Sequence, residues 1–289
     1  MSCSFHRPAF EDIRWMKEKL KESQPLCCEF SVGNLMGWSK YYDGRIGEIE
    51  NCLVVRLYND NSFCFPKGSN YINALKFIVK EYDFPKFSFL EAKEKDILEE
   101  TFPGKYEFVS ERDSFDYVYS QEHLASLSGK KYHAKRNHIS YFEKNFNWTI
   151  EELNRGNIDD CIAMNEKWYS LNVEKDREGI EDEREVLRLN FAHFEEIGGV
   201  GGVLRIDGEV IAFTFGERLN DNTFVTHFEK AYSDIRGAYP MINNLFASRL
   251  LNQYEYINRE DDVGSEGLRS AKLSYHPEFL VEKFTAVRK

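Results

Sequence analysis

The sequence predicts an α/β fold organised in two halves, each built on a mixed sheet. Three observations carry this. Amphipathic helical stretches and short β-rich runs alternate along the 289 residues, a length that accommodates two domains of ordinary size. The same mixture of elements recurs after about residue 129. In that second half three consecutive strands are followed by strands separated by helices. This order suits a sheet that is antiparallel at first and then joined through helical crossovers. The material for a core is present, with 42% hydrophobic and 15% aromatic residues, which excludes a disordered chain.

The elements follow in order. Residues 11–23 carry Ile13, Met16 and Leu20 at helical spacing, and Pro25 ends the pattern. The stretch 28–35 is short, mixed and without a clear period. Strands are expected within 46–58, notably 53–57, and at 62–65. A strong amphipathic helix spans 71–82, with Ile72, Leu75, Ile78 and Val79 on one face. Strands at 87–90 and 115–119 flank a helix at 94–100. In the second half, helices are expected at 130–145, 158–171 and 182–197, then strands at 202–206, 210–217 and 223–231. Asp207-Gly208 between the first two of these strands is a two-residue hairpin signal. A helix at 240–252, a short strand at 254–258, a helix at 268–274 and a strand at 280–287 complete the chain. The expected domains are 1–128 and 129–289, the second opening on a basic connecting helix.

The formal net charge is -11, so any nucleic acid or anionic membrane has to be met at a restricted basic patch. The cysteines, Cys3, Cys27, Cys28, Cys52, Cys64 and Cys161, show no C-x-x-C spacing, and they read as reduced thiols of a cytoplasmic protein. No metal-ligand spacing, phosphate-binding loop or nucleophile motif is present. The first residues lack a signal-peptide core, and no apolar run approaches the roughly 20 residues that span a bilayer. Membrane contact is expected to be peripheral at most.

Three stretches carry a family resemblance: Phe30-Ser31-Val32-Gly33-Asn34-Leu35-Met36-Gly37-Trp38, the run from Gly129 to His138, and Asp261 to Ser274 continuing into Tyr275-His276-Pro277. Together they resemble a bacterial family similar to the catalytic domain of phosphatidylglycerol lysyltransferases. The element order of the second half is also that of the N-acetyltransferase superfamily. The resemblance implies two tandem GNAT-like (acyl-CoA N-acyltransferase-like) domains. It implies an acyltransferase that moves an aminoacyl group from aminoacyl-tRNA to an amine or hydroxyl acceptor, with no resident cofactor. An acetyl-CoA-type N-acyltransferase and a non-catalytic ligand-binding module on the same fold are the alternatives.

Candidate residues follow from this frame. Acetyltransferases bind the donor's pyrophosphate at a glycine-rich turn opening a helix. The corresponding turn here contains Arg236, Gly237 and Tyr239 before Pro240, with only one glycine. These three residues and Lys272 are the candidate donor-binding residues; the bland reading is a solvated turn and a helix terminus. His227 and Glu229, two apart on a strand, are expected on one sheet face, where they could accept a proton from an attacking ammonium. The bland reading is a structural pair. Tyr275, after the last helix, holds the place of an acetyltransferase general acid. Lys131, Lys135 and Arg136 belong to a basic helix, either a polyanion patch suited to a tRNA acceptor arm or a solvated bridge between the halves.

Overall fold

The computed structural model describes residues 4–172, 177–250 and 252–289. The chain opens with α1 (Ile13–Ser23), which buries Ile13, Met16 and Leu20 as the spacing predicts. A 3-10 turn then leads into α2 (Val32–Gly37), six residues that are all buried. This helix has too few turns to display a period and contains two glycines. Ser31 caps it, its hydroxyl accepting from the Asn34 amide at 3.3 Å.

The first sheet takes up β1 (Gly44–Ile49), β2 (Cys52–Leu57), β3 (Ser62–Phe63), β4 (Lys86–Leu90) and β5 (Tyr106–Ser110), with α3 (Tyr71–Glu81) and α4 (Ala92–Thr101) as connections. Next come β6 (Asp116–Ser120), α5 (Gln121–Ser126), α6 (His133–Asn145), β7 (Trp148–Glu152), α7 (Ile158–Asn172), α8 (Arg177–Ala192) and α9 (Phe194–Ile197). The consecutive strands β8 (Val200–Ile206), β9 (Glu209–Arg218) and β10 (Thr223–Ala231) follow. The chain then forms α10 (Ala238–Arg249), β11 (Tyr256–Asn258), α11 (Glu266–Leu273), β12 (Phe279–Val281) and β13 (Phe284–Arg288). The hairpin between β8 and β9 turns on Asp207 (φ 50°) and Gly208 (φ 89°), both left-handed as a type I′ turn requires.

Both sheets are mixed. The first runs β1-β2-β3-β4-β13-β5 and is antiparallel except for β3–β4. The second runs β12-β6-β11-β10-β9-β8-β7 and is antiparallel except for β10–β11. The C-terminal run expected as one strand is two: β12 pairs with β6 in the second sheet, and β13 crosses to lie between β4 and β5 in the first. The sheets thus exchange strands across residue 128, β6 one way and β13 the other.

A shared helical layer lies between the sheets. Residues of α1, α2, α7 and α8 form one apolar cluster with Ile46, Leu53, Val55 and Leu57 of the first sheet and Phe213, Phe215 and Phe228 of the second. The far face of the first sheet packs on α3 and α4. The far face of the second packs on α6 and α10 through Ile139, Phe142, Met241 and Ile242. The basic helix α6 therefore lies on the outer face of the second sheet, although a place at the junction of the halves was expected. Its apolar stripe, Ile139 and Phe142, is attracted to α10 rather than to the first sheet.

Candidate active site

The site forms where two parallel strands part. β11 pairs with β10 only at Thr223↔Tyr256, Phe224↔Ile257 and Val225↔Asn258. Beyond Val225 the strands diverge, and two ion pairs bridge the gap from opposite faces. On one face Arg259 Nη2 donates to Glu229 Oε1 at 2.8 Å. On the other, His227 Nδ1 lies 2.8 Å from Glu260 Oε1. His227 and Glu229 thus do not share a sheet face as their two-residue spacing predicts. A bulge between Thr226 and Phe228 in the pairing with β9 adds one residue and reverses the alternation.

His227 is clamped between two carboxylates, with Nε2 3.1 Å from Glu217 Oε1 and Nδ1 on Glu260. Burial alone would pull its pKa down. The hydrogen bonds to Glu217 and Glu260 outweigh that and hold it up at about 9. At neutral pH the ring is therefore an imidazolium donating from both nitrogens. It positions Glu260 and has no lone pair to accept a proton. Helix α2 completes the clamp: the Gly33 backbone amide donates to Glu217 Oε1 at 2.6 Å, and the Asn34 side chain donates through Nδ2 to Glu260 Oε1 at 2.9 Å. A side chain at position 33 would meet Asn190 Oδ1 at 2.3 Å and Glu217 Oε1 at 2.9 Å, so only glycine permits this approach.

Glu260 faces a cavity of about 420 Å³ between α2, β1, β2 and the loop after β11. The apolar wall is built from Leu35, Trp38, Ile46 and Leu57, and the polar wall is acidic: Glu29, Glu111, Asp113, Glu260 and Asp261. Asn258 shapes the loop, its Oδ1 accepting from the Glu260 amide at 2.7 Å and holding Glu260 in the left-handed region at φ 58°. Burial pushes the Asp261 carboxyl up to about 6, an effect that the Lys283 charge offsets only in part. Burial raises Glu29 to about 7 against the attraction of Lys283. Behind this wall, Glu29, Asp116 and Cys28 converge as metal ligands would. The Lys283 ammonium fills their centre, 2.6 Å from Glu29 Oε1, 2.7 Å from Asp116 Oδ1 and 3.6 Å from Cys28 Sγ. Burial raises the Cys28 thiol well above its ordinary value, which removes it as a nucleophile.

The opposite face gathers four of the sequence-derived candidates. Glu229 accepts from Arg259 and from Asn243 Nδ2 at 2.9 Å. Tyr275 is buried, with Lys135 Nζ 3.8 Å and Arg259 Cζ 4.9 Å from its ring centroid. Burial, and then the Arg259 charge, lower the Lys135 ammonium to about 8. Lys272 turns inward and donates to the carbonyls of Arg259 (2.5 Å) and Glu260 (3.1 Å). The remaining candidates lie apart. Arg136 donates to the Leu127 and Gly129 carbonyls at 2.5 and 2.7 Å, which closes the loop after α5. Lys131 is exposed. Arg236 is exposed over the Tyr141 ring, its Cζ 4.3 Å from the centroid. The Tyr239 hydroxyl accepts from Trp168 Nε1 at 3.3 Å. Gly237 (φ 92°) caps α10, and a Cβ there would meet the His138 carbonyl of α6 at 2.4 Å. The turn that opens a phosphate cradle in ordinary acetyltransferases is here covered by α6.

Glu29, Glu217 and Glu260 carry no motif that marks them in the sequence, whereas Asn34 and Asp261 lie inside stretches that carry the family resemblance. The one further signal is the acidic triplet Glu260-Asp261-Asp262 directly after a short strand.

Residues 21–287 match the family described as phosphatidylglycerol lysyltransferase, C-terminal. The crystal structure of a conserved protein of unknown function from Bacteroides thetaiotaomicron is 34% identical, with a TM-score of 0.93 and 100% of both chains covered. L-PGS from Bacillus licheniformis has a TM-score of 0.65 at 14% identity, over 98% of this chain and 93% of that one, a likeness of fold. Among curated proteins, an uncharacterised protein of Mycoplasmoides gallisepticum is 26% identical over 188 residues. That match covers 63% of this chain and spans 59% of the relative's length. No helix among the described residues is long and apolar enough to cross a membrane. The chain belongs to the family of phosphatidylglycerol lysyltransferase C-terminal domains and has their tandem GNAT-like acyltransferase fold.

Proposed function

We propose that the protein is an aminoacyltransferase that moves an aminoacyl group from aminoacyl-tRNA to an amine or hydroxyl acceptor, and that the acidic cavity is where the transfer occurs. The observation that carries this reading is the wall formed by Glu29, Glu260 and Asp261, with Asp261 half-buried and its carboxyl pushed up to about 6 by desolvation. An arriving ammonium group supplies the counter-charge that such a carboxylate lacks. An aminoacyl ester carries this ammonium, and so does an amine acceptor before it attacks.

For an amine acceptor, the ammonium must first lose a proton, and Glu260 is placed to take it. The amine then forms the new C–N bond at the ester carbonyl. The ester C–O bond breaks, the proton held on Glu260 passes to the departing ribose oxygen, and the new amide nitrogen gives up its second proton through the freed Glu260 carboxylate to water. His227 and Asn34 fix the Glu260 carboxylate without competing for that proton. Direct attack in a ternary complex needs no nucleophilic side chain, which accords with the inert Cys28.

Calorimetry with alaninamide and lysinamide, uncleavable mimics of an aminoacyl ester, tests the reading. Binding is expected to strengthen as pH rises through 6 and 7, where Asp261 and Glu29 ionise. Asp261→Asn should weaken it about tenfold. Equal binding by the N-acetylated amides, which carry no ammonium on the α-nitrogen, would remove the cavity as an amine site.

A further inference from the structure

The face of the parted strands opposite the acidic cavity has the reverse electrostatics. Lys135, Arg259 and Lys272 meet there among the rings of Tyr117, Tyr119 and Tyr275, in a chain whose net charge is -11. Glu229 is the carboxylate within this group, and Arg259 and Asn243 already share it. The Lys272 ammonium is taken up by two backbone carbonyls. Two cationic donor atoms, one on Arg259 and one on Lys135, make no hydrogen bond to a carboxylate. Arg259 Nη1 is buried and has no hydrogen-bond partner. Lys135 Nζ rests on the Tyr275 ring and on the Ser274 hydroxyl at 2.8 Å. Ring faces and hydroxyls are what an ammonium contacts when no anion is at hand. Asn243 Oδ1, beside Glu229, is likewise buried and unpartnered. Outward from Lys135, the turn before α6 adds positive charge through the exposed Lys130 and Lys131.

We propose that Lys135 and Arg259 form an anion site for a phosphodiester, namely the 3′-terminal linkage of the donor RNA, with the exposed Lys130 and Lys131 in the turn before α6 receiving the phosphates that precede it. This rests on the reading of an RNA-borne donor. The guanidinium offers a planar donor edge and the ammonium a point charge, the pair that a phosphate accepts from. A bound anion would also raise the Lys135 ammonium from its lowered position.

The probe is the unacylated trinucleotide cytidylyl-cytidylyl-adenosine, titrated into the full chain by calorimetry at several salt concentrations. Wild type is expected to bind it, and Lys135→Gln should weaken binding about tenfold and flatten the log–log salt dependence by about 0.7. Lys135→Arg should restore most of the loss. Lys93→Gln, an exposed lysine on α4, should bind as wild type does. Alaninamide binding should be unchanged in Lys135→Gln, so failure here is separable from failure of the amine cavity. The proposal is overturned if the trinucleotide does not bind at low salt or binds Lys135→Gln as tightly as wild type. Preference for glycerophosphoglycerol over the trinucleotide at Lys135 would also overturn it, by assigning the site to a lipid head group.

Discussion

Raising the pH should dismantle the clamp around His227, and the structure sets how much stability goes with it. The ring is buried, with its side chain 2% exposed, and is held at about 9 by Glu217 and Glu260, against about 6.5 for an unperturbed histidine. A base raised in the folded state contributes stability that is fully present below pH 6.5. That contribution is lost as pH climbs through 9. The gap corresponds to about 3 kcal/mol. Urea unfolding of wild type and His227→Gln at pH 6 and pH 10 measures it, because titrations common to both proteins cancel in the difference. The wild-type advantage should be about 3 kcal/mol larger at pH 6 than at pH 10. At a urea slope of about 3 kcal/mol/M, this is a change of about 1 M in the midpoint difference. Lys17, which the Glu217 charge acts upon, titrates in both proteins. A difference that stays flat with pH, or grows toward pH 10, would show that His227 is not the shared donor described here.

Two further outcomes follow from close backbone approaches. Gly33→Ala adds a Cβ 2.3 Å from Asn190 Oδ1, so it should destabilise by about 1–3 kcal/mol despite the better helix propensity of alanine; chemical denaturation checks this, and a stabilised variant would contradict it. Acetyl-CoA should not bind at micromolar concentration, because the His138 carbonyl fills the space beside Gly237 where a phosphate would approach. Micromolar affinity in calorimetry would favour an acetyl-CoA-dependent enzyme.

Much of the scaffold is legible in the sequence where its period is long enough to be seen. The apolar faces of α1 and α3 repeat over eleven residues each, and the Asp207-Gly208 turn fixes the β8–β9 hairpin. The elements without such a signal are short or polar. Helix α2 is six residues long, and β7 alternates among half-exposed and exposed positions with two glutamates. The exchange of β6 and β13 between sheets is set by long-range pairing, which no local pattern encodes. The candidate site divides in the same way. Glu229, Tyr275, Lys135 and Lys272 are brought together as neighbours, but the bulge at His227 breaks the two-residue alternation that placed it beside Glu229. Glu29, Glu217 and Glu260 lie far apart in sequence and ordinary in composition, and they acquire their chemistry only from the cavity and from His227 and Lys283.

A chain that discharges an aminoacyl ester at the acidic cavity with Glu260 as the proton acceptor must lose that activity with the Glu260 carboxylate. The most direct measurement is the single-turnover discharge of aminoacyl-tRNA by wild type and by Glu260→Gln, in the presence of an amine acceptor, with the product amide identified by mass. Wild type is expected to accelerate discharge into amide, and Glu260→Gln, still folded by circular dichroism, is expected to lose about 10²–10⁴ of that rate. Discharge at the wild-type rate by Glu260→Gln, or no acceleration by wild type over the uncatalysed loss of the ester, would contradict this assignment.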